Sequence, residues 1–350
     1  MNMLIFLIKR SMSIISVMLI AIAASQALAN DADLPGPKPT YSNLSYADTG
    51  KNDESGHLLD LYLPKKSTNS QVPLVIFTHG SGWMMTNGRD GAQALAEKLI
   101  PHGYAVAGVA IRSSSQAHFP AQLYDIKAAI RWLKAHANEY GYSANHIGIM
   151  GESSGGWTSA IAATTGDEPS LEGSLGVQGY SSAVNAAIAF YPPTDFSEMD
   201  AFAARPCDPT IKPFGDKFCH NTEGSPESNF LGCTLSDPQC AVKSELANPI
   251  NYISKADPAI MVIHGQNDRL VAYNQGEKLY QALNKSCHDS QFITLPVADH
   301  GMWYEIFKDK NMSYGSTIRA TKSEGCETIM AKPVTMSWDI ITQFFDEYLK

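Results

Sequence analysis

The chain has 350 residues and a formal net charge of −9, from 35 acidic and 26 basic side chains. A protein with this acidic balance repels a phosphate backbone, so the composition argues against a nucleic-acid partner. The length suits one large domain built from both helices and strands.

The first predicted element is an export signal over residues 1–29. Lys9 and Arg10 form a charged start, a run of apolar and small residues follows, and residues 27–29 read Ala-Leu-Ala, which is a typical cleavage site. The apolar run is short for a membrane span, which favours cleavage over an uncleaved anchor. Cleavage would leave residues 30–350 with a net charge of −11, because two basic and no acidic residues are lost. We therefore expect a periplasmic or secreted protein without a stable membrane span.

Strands and helices are predicted to alternate along residues 57–349, after a polar, proline-containing stretch over 30–56. Alternation of this kind is typical of an α/β fold with a mainly parallel twisted sheet and helices on both faces. We find no internal repeat. Strands are predicted over 57–64 (as an edge strand), 73–78, 105–109, 147–151, 186–191, 259–263 and 292–297, and helices over 91–100, 119–138, 277–283 and 333–349.

Residues 197–248 interrupt this alternation as an insertion within the domain that spans 30–350. The insertion holds four cysteines, several prolines and few apolar runs. It falls between two predicted strands, near the sheet edge where open α/β sheets bind their ligands. A long irregular segment at such a place is often functional, so we interpret it as a disulfide-pinned cap or cleft wall. A surface elaboration without substrate contact is the alternative.

All six cysteines lie in the part of the chain expected to be exported. An even number in an oxidising compartment indicates disulfides, although six cysteines allow fifteen connectivities. Cys233 and Cys240 are close in sequence, which favours their pairing and leaves Cys207–Cys219 and Cys287–Cys326. Neither C-x-x-C nor H-x-x-H spacing occurs, so we expect neither a metal site nor a cofactor.

The most informative motif is G-x-S-x-G at residues 151–155, with Ser153 at its centre. The apolar run 147–150 precedes it and Gly-Gly-Trp at 155–157 follows. A strand, a tight turn around a serine and then a helix form the setting of a nucleophile elbow. The turn strains the serine backbone and holds its hydroxyl out, while small neighbours relieve the crowding. The sequence therefore predicts that Ser153 is a nucleophile.

A second motif follows the strand predicted over 73–78. Residues 79–83 read His-Gly-Ser-Gly-Trp, an HGGG-type loop with serine at the second glycine position. Such a loop supplies backbone N–H groups to an oxyanion hole, and its glycines let the backbone approach the developing charge. The predicted oxyanion donors are the amides of Ser81, Gly82 and Ser154.

Trp83 and Trp157 flank these two motifs. An aromatic side chain beside a nucleophile can line an acyl or aromatic pocket, so both are predicted to contact substrate. Packing in the core is the alternative for each, since large aromatic side chains are mostly buried.

The acid and the base come later in the chain. Asp268 lies shortly after the predicted strand 259–263, and His300 follows the strand 292–297. The order Ser153, Asp268, His300 is the α/β-hydrolase order. In that arrangement the histidine takes the serine proton and the acid orients the imidazole and stabilises the imidazolium.

Two other aspartates compete for the role of the acid. Asp195 follows an earlier strand and stays an alternative. Asp299 adjoins His300 in sequence, and this adjacency makes its side chain point away from the imidazole, so we reject it as the acid.

Together these motifs resemble the α/β-hydrolase superfamily, and within it the hormone-sensitive-lipase-like and feruloyl-esterase-like (BD-FAE) carboxylesterases. The resemblance covers about residues 55–349. It implies a serine hydrolase that cleaves short acyl or feruloyl-type esters, small or polysaccharide-linked, through an acyl-enzyme. The segments that carry it are 79–83, 151–156, 191–195, 257–259, 264–268 and 299–301.

Two further interpretations are weighed against this one. A prolyl-oligopeptidase-like peptidase would share the order of the triad, but such enzymes usually carry a propeller domain and no repeat array occurs here. A non-catalytic binding protein on a hydrolase scaffold would typically have lost Ser153 or His300, and both are present. No feature of the sequence indicates an oligomeric state.

Overall fold

A computed structural model describes residues 34–50, 55–65, 71–203, 205–211, 218–301 and 303–350. The predicted export signal over 1–29 lies outside this range. The described strands are β1 (Tyr41–Ser45), β2 (Leu58–Tyr62), β3 (Val72–Thr78), β4 (Ala105–Val109), β5 (Tyr142–Glu152), β6 (Ala186–Phe190), β7 (Ala259–Gly265), β8 (Ser290–Leu295), β9 (Thr317–Lys322) and β10 (Glu327–Pro333). The helices are α1 (Ala92–Leu99), α2 (Ala121–Tyr140), α3 (Ser154–Thr164), α4 (Pro226–Leu231), α5 (Ala241–Leu246), α6 (Asn274–Lys285) and α7 (Trp338–Leu349), with short 3-10 turns between them.

The ten described strands form one sheet in the order β1-β2-β4-β3-β5-β6-β7-β8-β9-β10. The six central strands run parallel to one another; in sheet order they are β4, β3, β5, β6, β7 and β8. Two strands flank them on each side, and each of these pairs antiparallel with its neighbours: β1 and β2 on one side, β9 and β10 on the other. Strands β4, β6 and β7 are buried along their whole length, as expected for parallel strands covered on both faces. The prediction of a mainly parallel sheet is confirmed.

Helices cover both faces of the sheet and create two apolar cores. Helices α2, α3 and α6 bury their apolar sides in one core, with Leu123, Trp157 and Leu279 among the buried residues. Helices α1 and α7 close the other core through Leu95 and Phe345. Because parallel strands end at the same edge of the sheet, this layering brings the loops after β3, β5, β7 and β8 together.

Three strands were not predicted from the sequence. Strand β1 pairs outside β2, so the predicted edge strand is internal. The hairpin of β9 and β10 extends the other edge, and β10 is almost entirely exposed. A strand without a buried face carries no apolar run, and its sequence signal is therefore weak. The predicted last helix, 333–349, begins only at Trp338 because Pro333 still belongs to β10.

The insertion is more regular than its sequence indicates. Its described part contains α4 and α5, and the Ser225 side chain caps α4 by accepting the Ser228 amide at 3.1 Å. The Phe119 amide donates to the Phe230 carbonyl at 2.8 Å, and the Trp157 indole N–H donates to the Ala247 carbonyl at 2.7 Å. The insertion is thus bound to the start of α2 and to the helix behind the elbow.

The predicted disulfides Cys207–Cys219, Cys233–Cys240 and Cys287–Cys326 are present in the structure. Their Cα–Cα distances of 5.0, 5.7 and 4.8 Å lie in the usual range for disulfides. Two of them pin the insertion, and the third ties the β9–β10 turn to the end of α6.

We expect thiol alkylation of the denatured, non-reduced protein to modify none of the six cysteines, and to modify all six after reduction. Each cross-link typically stabilises a fold by about 2–4 kcal/mol because it restricts the unfolded chain. Reduction should therefore lower the thermal unfolding midpoint and loosen the insertion, so that bulky esters lose more turnover than a small acetate ester. Mass spectrometry and thermal unfolding measure these effects. Alkylation of all six thiols before reduction would contradict the pairing.

Candidate active site

Ser153 occupies the turn between β5 and α3 with φ 54° and ψ −123°. A positive φ with this ψ is strained for a residue with a side chain, and such strain is typical of functional sites. Two glycines allow the turn: a Cβ on Gly155 would lie 2.0 Å from the Thr78 carbonyl oxygen, and one on Gly151 would lie 2.3 Å from the Gly155 carbonyl oxygen. The G-x-S-x-G motif therefore forms the strand-turn-helix arrangement that its sequence predicts.

The structure brings the three predicted triad residues together. His300 Nε2 lies 3.0 Å from Ser153 Oγ, and His300 Nδ1 lies 2.9 Å from Asp268 Oδ2. The second Asp268 oxygen accepts the amides of Leu270 and Val271 at 2.9 and 2.8 Å. Asp268 is thus held by its own loop through Oδ1, while its Oδ2 faces the imidazole.

The charges of Asp268 and His300 stabilise one another. Burial alone would raise the pKa of Asp268, but His300 and His264 outweigh burial and hold that pKa well below its usual range. Burial would likewise lower the pKa of His300, yet the Asp268 carboxylate and its hydrogen bond raise it above its ordinary value. Asp268 is therefore ionised and favours the imidazolium that forms when His300 takes a proton.

The competing acid Asp195 lies elsewhere. Its Oδ2 is 2.6 Å from Lys278 Nζ, and its Oδ1 accepts the Ser197 hydroxyl at 2.6 Å. The amide of Asp195 is held by the Gln275 side chain. Asp195 is thus part of a polar cluster between the loop after β6 and helix α6, whereas Asp268 contacts His300.

The loop over residues 79–83 is held by the two side chains that flank Ser153. The Gly80 amide donates to Glu152 Oε1, and the Ser81 amide donates to Ser154 Oγ at 2.9 Å. A Cβ on Gly80 would lie 2.4 Å from the Glu152 carbonyl oxygen, so this close approach requires glycine. The Ser81 amide, predicted as an oxyanion donor, already has an acceptor in this arrangement. The amides of Gly82 and Ser154 stay the predicted donors.

Trp83 and Trp157 lie in the apolar core. The two residues are 2% and 0% exposed. Phe230 of the insertion stacks on Trp83 with a centroid distance of 4.2 Å, and Trp157 packs edge-on against Trp83 at 5.6 Å. Both contacts join residues that are more than 70 positions apart in the chain, so the sequence does not reveal them. These contacts fit the alternative of packing in the core, and a contact of either residue with substrate stays a prediction.

Three residues near the triad were not assigned to the site from the sequence. Glu152 holds the glycine loop, as described above. Tyr191 has φ 35°, and its ring lies 4.6 Å from the His300 ring between centroids. His264 Nε2 lies 3.4 Å from Asp268 Oδ2 and 3.1 Å from the Val271 carbonyl oxygen. Tyr191 directly follows β6, and His264 lies at the end of β7. Both are therefore at the carboxyl edge of the sheet, where ligands bind in open α/β sheets, and this position could have indicated them from the sequence.

Among the described residues, one group has the spacing of metal ligands: Asp200, Cys207 and Cys219. Both sulfurs belong to a disulfide, so they cannot act as thiolate ligands. In the same residues, no helix has the length and apolar character needed to cross a bilayer.

The strained serine turn, the order of the triad and the flanked parallel sheet define an α/β-hydrolase fold. The chain belongs to the BD-FAE family, whose model matches residues 59–283. It is 28% identical over 262 residues to LipM of Mycobacterium tuberculosis, which is named as a probable carboxylic ester hydrolase. The matched region covers 74% of this chain and 55% of LipM. It is 25% identical to the esterase LipQ of the same organism, covering 79% of this chain and 62% of LipQ.

A solved structure supports the same relationship. The truncated form of a carbohydrate esterase from gut microbiota superposes with a TM-score of 0.68 at 28% identity, covering 91% of this chain and 98% of that one. The chain spans only 55–62% of the length of the mycobacterial relatives. The likeness therefore establishes fold and family, and the activity of the whole protein is a proposal.

Proposed function

We propose that this protein is an exported serine carboxylesterase that hydrolyses short acyl or feruloyl-type esters through an acyl-enzyme. The observation that carries the proposal is the continuous hydrogen-bonded line from Ser153 Oγ through His300 to Asp268, at 3.0 and 2.9 Å. A serine hydroxyl becomes a strong nucleophile only when a base takes its proton as it attacks, and this line supplies the base.

The mechanism follows from this geometry. Ser153 Oγ attacks the ester carbonyl while His300 Nε2 takes the hydroxyl proton, and the Asp268 carboxylate stabilises the imidazolium. The amides of Gly82 and Ser154 bind the oxyanion of the tetrahedral intermediate, and losing one such donor typically costs about 2.7–4 kcal/mol of barrier. His300 then protonates the leaving alkoxide. Water next attacks the acyl-Ser153 carbonyl while His300 Nε2 takes its proton, and His300 returns that proton to Ser153 Oγ as the carboxylic acid leaves.

The substrate class and the location are supported by several observations. The structural relative is named as a carbohydrate esterase, which favours an ester carried on a saccharide or polysaccharide. Three disulfides suit an oxidising compartment, and residues 1–29 have the pattern of an export signal; both support the proposal of a periplasmic or secreted protein.

We expect soluble acetate and butyrate esters to be hydrolysed faster than long-chain lipids. The sequence has an HGGG-type loop and lacks a long apolar lid that would cover an extended acyl chain. A panel of p-nitrophenyl esters of increasing chain length, with methyl ferulate, acetylated xylan and a triglyceride emulsion, measures this preference, and Ser153→Ala supplies the background rate. Faster turnover of the long-chain triglyceride than of soluble butyrate would contradict it.

The same panel separates an esterase from a peptidase. The chain is also 25% identical to the acylamino-acid-releasing enzyme of Rattus norvegicus, although it covers only 33% of that protein. An acyl-peptide anilide added to the panel should be turned over far more slowly than the acetate ester. Preferential cleavage of the anilide would favour the peptidase, and absence of turnover on every substrate would favour the non-catalytic binding protein.

A further inference from the structure

Asp299, the aspartate that adjoins His300, is engaged with the neighbouring acid loop. Its Oδ1 accepts the His300 amide at 2.8 Å and the Arg269 amide at 3.1 Å. Its Oδ2 accepts Arg269 Nε at 2.6 Å and also Arg269 Nη2. One carboxylate thus takes four hydrogen bonds, and three of them come from Arg269.

The position of these two residues in the chain gives the contact its meaning. Arg269 directly follows Asp268, and Asp299 directly precedes His300. The loop after β7 and the loop after β8 are separate segments, joined at the site by the hydrogen bond between Asp268 and His300. The Asn267 side chain also donates to the Val297 carbonyl at 3.4 Å. The Arg269–Asp299 bridge is a further connection, one residue away from the Asp268–His300 contact on each side.

We propose that Arg269 and Asp299 are positioning residues that fix the loop of the acid against the loop of the base and so set the Asp268–His300 geometry. The proposal rests on the proposed function, because it takes His300 as the general base. A bidentate arginine–carboxylate pair with additional backbone donors has a defined geometry, which a single exposed ion pair lacks. Errors of about 1 Å in the placement of catalytic groups cost rate steeply.

The bridge also sets the charge around the imidazole. Burial lowers the pKa of His300, and the nearby carboxylates of Asp268, Glu152 and Asp299 outweigh it and raise that pKa. Beyond these groups, the Tyr191 ring packs against the imidazole and Ser153 Oγ lies at Nε2. Arg269 partly offsets the charge of Asp299 in the intact bridge. Removing the carboxylate charge should lower the pKa of His300, and removing the guanidinium should raise it.

Asp299→Asn and Arg269→Gln should therefore shift the acid limb of the kcat/KM pH profile in opposite directions. That limb reports the general base of the free enzyme, which must be neutral to act. Asp299→Asn keeps an amide oxygen that can accept the two backbone N–H groups, and its limb should move to lower pH. Arg269→Gln leaves Asp299 unneutralised, and its limb should move to higher pH. Each shift should be on the order of half a pH unit at low salt and smaller at high salt, because both side chains are partly exposed.

Asp299→Ala also removes the side-chain oxygen that accepts the backbone amides of His300 and Arg269. It should lower kcat about tenfold with little change in KM, because the placement of His300 is affected and substrate binding is not. The matched controls are Glu347→Gln and Lys322→Gln, which break an exposed ion pair of 2.7 Å between α7 and β9 and should leave the profile in place. Thermal unfolding of every variant checks that the fold is retained.

The outcomes separate this proposal from the proposed function. If Ser153→Ala or His300→Ala retains wild-type turnover, the proposed function fails. If both are inactive but Asp299→Asn and Arg269→Gln shift the acid limb in the same direction, or not at all, the esterase stands and the positioning role is overturned. Opposite shifts together with the kcat loss of Asp299→Ala support it.

Discussion

Ser153→Ala is expected to lower kcat for p-nitrophenyl acetate by about 10⁵-fold, with KM changed by no more than about threefold. The substitution removes the atom that His300 Nε2 contacts at 3.0 Å, and the described residues place no other hydroxyl within hydrogen-bond distance of that nitrogen. Water would then have to attack directly, aided only by the oxyanion donors and by substrate binding.

Steady-state kinetics on purified protein measures this loss, and Ser170→Ala is the matched control. Ser170 is an exposed residue of a 3-10 turn, and its hydroxyl donates to Glu168 Oε1 at 2.7 Å. Residual activity in Ser153→Ala within about tenfold of wild type would mean that another residue is the nucleophile.

The second large effect is expected for Asp268→Asn, which should lower kcat by about 10³–10⁴-fold. The carboxamide oxygen can still accept the amides of Leu270 and Val271, so the loop should keep its shape. The neutral side chain cannot stabilise the imidazolium, and its NH₂ group favours the tautomer of His300 that is protonated at Nε2 and cannot accept the serine proton.

Asp195→Asn is the comparison variant for this prediction and should lose less than about threefold, because Asp195 pairs with Lys278 and not with His300. Circular dichroism and thermal unfolding of both variants separate catalysis from stability. If Asp195→Asn were the more damaging change in kcat, the assignment of the acid would be wrong.

The parts of this molecule that are local in sequence could be predicted from it. The strained turn at Ser153 needs a preceding strand, small neighbours and a following helix, and all of these stand within a few residues of one another. The parallel sheet was predictable because each central strand is a short apolar run. The order of the triad followed from the order of these strands.

The parts that depend on distant partners could not be predicted. Trp83 and Trp157 adjoin the motifs in sequence, but Phe230 of the insertion packs against both and helps to bury them. The Ser81 amide is occupied by Ser154, 73 residues away. Strand β10 is almost entirely exposed and therefore lacks an apolar signal. For the two tryptophans and for Ser81, the deciding contact joins segments that are far apart in the sequence.

The central claim is that Ser153 forms a covalent acyl-enzyme with His300 as its base, and the measurement that tests it most directly is active-site labelling with a fluorophosphonate. Intact-protein mass spectrometry should find one adduct per chain, and peptide mapping should place it on Ser153. Ser153→Ala should remain unlabelled, and His300→Ala should react far more slowly than wild type. Labelling at another residue, or labelling that persists in Ser153→Ala, would contradict the account.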